Sequence, residues 1–204
     1  MVQKLDRLRE TASQTAGPYV HIGLTPNFCD ISGVFEEDLG IAMLGPEAKG
    51  ERITVTGQVI DGTGTPIRDA LLEIWQADAQ GLYNSPAETR GSADPHFTGW
   101  GRCPTGMDDG RYSFETIKPG PVPYPDGRLQ APHISFWIVA RGINIGLHTR
   151  MYFPEEEAAN AADPLLGRIE HRFRVPTLIA TREGNAYRFD IRLQGEGETV
   201  FLDI

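Results

Sequence analysis

The chain has 204 residues, 40% of them hydrophobic and 9% aromatic, with 19 basic and 28 acidic side chains and a formal charge of -9. That length holds one sizeable core or two small ones, and scattered carboxylates without a basic block argue against a nucleic-acid partner. No apolar run spans a bilayer and the charged start "MVQKLDRLRE" lacks an apolar centre, so we expect no membrane partner and a cytoplasmic protein.

In chain order, the first fifty residues contain an amphipathic-looking "LDRLRETA" and then an irregular run to "LGPEAKGE". We read residues 1–50 as an arm or cap that packs on another subunit, and residues 51–204 as the main domain. In "ERITVTGQVI", 51–60, Ile53, Val55, Gly57 and Val59 alternate with polar residues, the period of a half-buried strand. Further strands are predicted at 70–77, 111–117, 133–140, 147–153, 177–181 and 187–193. A short helix is predicted from Pro154 through "PEEEAANAA", where proline suits the first turn and the glutamates complement the helix dipole. Twenty-three glycines and 15 prolines punctuate the strands. Short strands separated by turns predict an all-β fold, a β-sandwich. Cys29 and Cys103 lack metal-site spacing and are read as free thiols.

Chemistry-bearing residues concentrate in "PYPDGRLQAPHISFW", 123–137. His133, beside large apolar residues, reads either as a hydrogen-bonded core histidine or as a ligand. Tyr112, Tyr152 and Tyr187 lie in strand patterns and read as packing residues with a polar tip. Tyr83 and Tyr124 lie in turn-rich sequence, where packing explains them less well. Two phenols and an imidazole make a particular metal environment, because phenolates are hard anionic donors that favour ferric iron over zinc or copper(I).

The stretches "LLEIWQADAQGLY", "GRYSFETIKPGPVPYPDGRLQAPHISF" and "AYRFDIRLQGEGETVF" resemble the intradiol ring-cleavage dioxygenases, from about Ser13 to the C-terminus. The resemblance implies a β-sandwich, a non-haem ferric ion held by two tyrosines and two histidines, and insertion of dioxygen between the hydroxyl-bearing carbons of a catechol. It maps the ligand positions to Tyr83, Tyr124, His133 and Ser135, and the last is serine where the pattern has a second histidine. A neutral hydroxyl is a weak donor beside an imidazole. Gln130 stands where the pattern has an arginine near the bound catechol.

Both departures are similar to those of the non-catalytic subunit in two-chain family members that act on protocatechuate; "SQTAGPYVHIGL" and "ARGINIGLHTR" carry this part of the resemblance. It implies that the four ligand positions are a vestige and that this chain holds no metal and no catalytic residue. The Fe(III) would belong to a homologous β subunit, in a hetero-oligomer of αβ pairs that takes protocatechuate and O2 to 3-carboxy-cis,cis-muconate. Thr15, Gly17, Pro18 and Arg141 would then approach the partner's substrate pocket. Read from the residues alone, those four are a turn and a surface arginine. Two other readings stand beside this one: a self-sufficient dioxygenase whose fourth ligand is His148 or a water, and a transthyretin-like binding module without enzymatic activity.

Overall fold

The computed structural model describes residues 15–17, 19–144 and 146–203. The segment "LDRLRETA" and Pro18 lie outside the described residues.

In β1 (Arg52–Ile60) the apolar alternation buries Ile53, Val55 and Val59. It pairs antiparallel with β4 (Arg111–Ile117), Val55 facing Phe114. Along its other edge run two short parallel strands, β10 (Ala186–Arg188) and β11 (Ile191–Arg192). A single strand over 187–193 was expected; Phe189 and Asp190 interrupt it. Gly57 explains the interruption, because a Cβ there would stand 2.0 Å from the Phe189 carbonyl oxygen. That oxygen accepts a hydrogen bond from the Tyr112 hydroxyl, and Asp190 Oδ1 accepts one from the Gln58 N–H at 3.1 Å. β9 (Thr181–Glu183) closes the sheet as a hairpin with β10. Of the strand expected at 177–181, Thr177 and Leu178 instead end a 3-10 turn over Arg172–Leu178 that holds Pro176, which has no N–H to offer a ladder, while Ile179 makes a parallel bridge to Tyr152 and Thr181 opens β9.

The second sheet runs β3–β2–β7–β8, antiparallel throughout: β2 (Leu71–Trp75), β3 (Trp100–Pro104), β7 (His133–Val139) and β8 (Leu147–Tyr152). β3 was not foreseen, since "WGRCP" lacks alternation; its pairing with β2 is what makes it a strand. The two sheets meet through Phe114 and Phe136, edge to face at 6.3 Å, and through Phe136 and Phe189 at 5.4 Å. Ile134, Phe136 and Ile138 of β7 enter this core, so His133, Ser135 and Trp137 point to the sheet's other face. There a second, smaller cluster of Ala131, Tyr152, Leu166, Leu178 and Val200 covers one end. A short hairpin, β5 (Val122–Pro123) with β6 (Leu129–Gln130), leads into β7.

The predicted helix forms as α2 (Glu157–Ala162), later than Pro154 because Glu155 and Glu156 are drawn to Lys118. α1 (Tyr19–Leu24) opens the segment that precedes β1. This segment lies along edge strand β3: the Gly40 carbonyl accepts from Arg102 N–H at 2.9 Å, and Met43 is buried in the main core. It thereby covers backbone that an edge strand would leave open to pairing. Cys29 and Cys103 are half-buried free thiols.

Candidate functional site

The four mapped ligand positions lie around the start of β7. Asp78, almost fully buried, shapes the loop that carries Tyr83 by accepting hydrogen bonds from the N–H groups of Gln80, Leu82 and Asp94. Tyr83 stacks on Trp75 at 5.8 Å with its ring nearly parallel. Burial pushes its phenol up, and the positive charge of Arg150 draws it partly back. Tyr124 sits in the β5–β6 turn, closed by its N–H on the Arg128 carbonyl, and its hydroxyl accepts from Arg168 Nη1 at 2.9 Å.

His133 is buried, and its Nδ1 lies 2.7 Å from the Ala131 carbonyl oxygen. A carbonyl only accepts, so Nδ1 carries the proton and Nε2 the lone pair. Burial first, then the charge of Arg150, lowers this imidazole to about 3, which keeps it neutral in the fold. The carboxylate of Asp163 anchors the turn ahead of it, accepting from the N–H groups of Ala131, Leu165 and Leu166 at 2.8–2.9 Å.

Ser135 faces Trp75 on one neighbouring strand and Arg150 on the other. Gln130 accepts from Arg150 Nη1 through its amide oxygen at 2.7 Å and donates through Nε2 to the Pro123 carbonyl. Sequence reasoning missed Arg150 and Asp163. An arginine inside the apolar strand "LHTRMYF" was the available signal for the first; nothing local marked the second.

Taken together these residues do not fit a ferric ion. One of the four positions is a neutral hydroxyl, one phenol is engaged by a guanidinium, and a second guanidinium bears on Tyr83 and His133. Among the described residues no three His, Cys, Asp or Glu side chains gather into a metal-binding group. His148 faces Trp137, four residues along β7 from His133, or roughly 13 Å at strand spacing.

The other mapped residues lie elsewhere. Arg141 follows the far end of β7, in the turn toward β8, and pairs with Asp69 at 2.8 Å while its side chain stays 65% exposed. The neighbouring Gly142 N–H donates to Thr15 Oγ at 2.9 Å, joining the N-terminal segment to the arginine turn. Gly17 follows, its carbonyl accepting from Val20 N–H at the start of α1, and Pro18 lies outside the described residues. Thr15 and Arg141 are thus brought together. From His133 to Val139 alone β7 covers roughly 20 Å, so this cluster is remote from the chain's own ligand positions.

A family model described as "Dioxygenase" matches residues 24–195. With two facing sheets and the tyrosine and histidine positions around β7, the chain belongs to the intradiol dioxygenase family. Within it, the chain is 47% identical to the protocatechuate 3,4-dioxygenase alpha chain of Pseudomonas putida over 203 residues, 98% of each chain. It is 40% identical to the beta chain of the same enzyme from Burkholderia cepacia, covering 75% of this chain and 68% of that one. Among solved structures, the dioxygenase domain of a carbohydrate-binding fusion from Streptomyces sp. SirexAA-E matches with a TM-score of 0.53 and 25% identity, covering 83% of this chain and 95% of that one. No helix among the described residues is long and apolar enough to cross a membrane.

Proposed function

We propose that this chain is the α subunit of a protocatechuate-cleaving intradiol dioxygenase and completes the substrate pocket of an iron-bearing β chain. The observation that carries the reading is the separation along β7: Thr15 and Arg141 adjoin one another but stand remote from this chain's own ligand positions. Residues so placed serve a pocket on another chain. Similarity to both α and β relatives supports a two-chain complex. The exposed apolar side chains of the N-terminal segment support the same conclusion, because Tyr19, Phe28, Ile31, Val34, Leu39 and Ile41 concentrate within residues 19–41, more exposed apolar side chains than scattered single ones require.

In this reading the β chain's non-haem ferric ion supplies the redox chemistry with dioxygen, and both oxygen atoms enter 3-carboxy-cis,cis-muconate. The residues of this chain bind and orient. Arg141 presents fixed positive charge to the substrate carboxylate, with Asp69 paired to Nη2 and the side chain 65% exposed, and a guanidinium suits a planar, two-point contact with a carboxylate. Thr15 and Gly17, with no bulky side chain between them, leave room for the ring to approach closely.

The test is Arg141→Ala in the assembled enzyme. Loss of a charge-assisted hydrogen bond of about 1.5–3 kcal/mol lowers kcat/KM for protocatechuate roughly tenfold to hundredfold. Catechol, which lacks the carboxylate, is affected less, and the iron-derived colour of the complex is unchanged. Equal losses for both substrates would assign Arg141 to packing or assembly; no loss for either would make it a surface arginine.

A further inference from the structure

Arg150 has no part in that reading, yet it stands beside three of the ligand positions, Tyr83, His133 and Ser135. It projects from β8 directly opposite Ser135, whose residue type is the departure from the family pattern. Its Nη1 donates to Gln130, the other departure, and its Nε is buried without a partner. Among the described residues no carboxylate pairs with this half-buried guanidinium, whose side-chain partner is the amide oxygen of Gln130. Its charge bears on Tyr83, His133 and Tyr152.

We infer that the Arg150 guanidinium is the resident cation of this position, and that it, together with the missing imidazole at Ser135, closes the chain to ferric iron. A metal ion links strands and loops by drawing their donor atoms to one positive centre. Arg150 does the same through a hydrogen bond to β6 and its charge near the Tyr83 loop and the start of β7. A trivalent ion entering among these groups meets a fixed like charge in low-dielectric surroundings, where repulsion is poorly screened. The change at Gln130 follows from the same cause. A second arginine there would face Arg150, whereas a glutamine oxygen accepts from it. Residues 130, 135 and 150 therefore form one linked set, independent of whether Arg141 faces a partner's pocket.

The experiment uses the full chain without its partner, incubated with ferric citrate and desalted. The readouts are bound iron, the visible tyrosinate-to-iron band and the melting temperature with and without iron, in chains shown by circular dichroism to be folded. Ser135→His/Arg150→Gln is expected to retain about one ferric ion per chain, with the coloured band and a higher melting temperature in iron. Ser135→His alone and Ser135→His/Arg150→Lys, which keep the positive charge, are expected to retain none. Uptake by Ser135→His alone with the same band would overturn the inference, as would a folded Ser135→His/Arg150→Gln chain that stays colourless and iron-free. Should glutamine at 150 prevent folding, Ser135→His/Arg150→Met makes the same comparison with another uncharged side chain.

Discussion

The two ends of β7 began from the same strand and are built to opposite plans. At the His133 end the polar groups turn inward: the imidazole bonds Ala131, Asp163 collects three backbone N–H groups, and Gln130 accepts from Arg150. At the Arg141 end the links among the described residues are the Gly142 N–H to the Thr15 hydroxyl, a turn bond from the Ile143 N–H to the Ala140 carbonyl and the Arg141–Asp69 ion pair, and the arginine side chain stays largely exposed. A site knit to its own chain resists reshaping, because removing one buried partner strands another. A site held loosely at the surface can be shared with a second chain. Substitutions at the first end should therefore register in stability and those at the second in the kinetics of the complex.

Asp163→Ala is the strongest attempt to break that division. It strips acceptors from three N–H groups in a buried turn, and at about 1–3 kcal/mol for each unpaired donor the loss is about 3 kcal/mol or more. Urea unfolding of the chain should show it, while kcat/KM of whatever complex assembles stays near normal. A stable chain with poor kinetics would mean that the closed end also serves the pocket.

The pH dependence of stability isolates His133. Its folded pKa is depressed to about 3 while an unfolded histidine titrates near 6.5, so in acid the unfolded chain binds the proton and the folded chain does not. The sign is destabilisation as pH falls, setting in below about 6.5 and continuing toward 3, at up to roughly 1.4 kcal/mol per pH unit. Between pH 7.5 and 5 this group costs the fold about 2 kcal/mol, and His133→Gln should remove that part of the slope. Parallel melting curves for the two proteins across this interval would place the acid sensitivity elsewhere.

The smallest effect belongs to the open end. Thr15→Val keeps the shape and deletes one exposed hydrogen bond, so chain stability should change by about 0.5 kcal/mol or less. The kinetic constants of the assembled enzyme for protocatechuate should move more, by roughly two- to fivefold, because the arginine turn loses its tie to the N-terminal segment. If stability falls and kinetics do not, Thr15 is a structural residue only.

Much of this was legible in the residues themselves. Alternation in "ERITVTGQVI" and "RYSFETI" announced strands because one face of each is buried, and a period of two leaves no other way to bury it. Ser135 and Gln130 were visible as departures because they fall inside long motifs with a definite pattern. Other features depend on partners far away in the chain. β3 exists through β2, and the break in the last strand exists because Gly57 lets a carbonyl approach from residue 189. Which residue stands among the ligand positions was likewise beyond one-dimensional reading: Arg150 meets Ser135 through the pairing of β7 with β8, and Arg141 is held away from them by the length of one strand. Local sequence sets which face of a strand is apolar, but strand pairing across distant segments sets which polar groups meet, and the chemistry of this chain lies in those meetings.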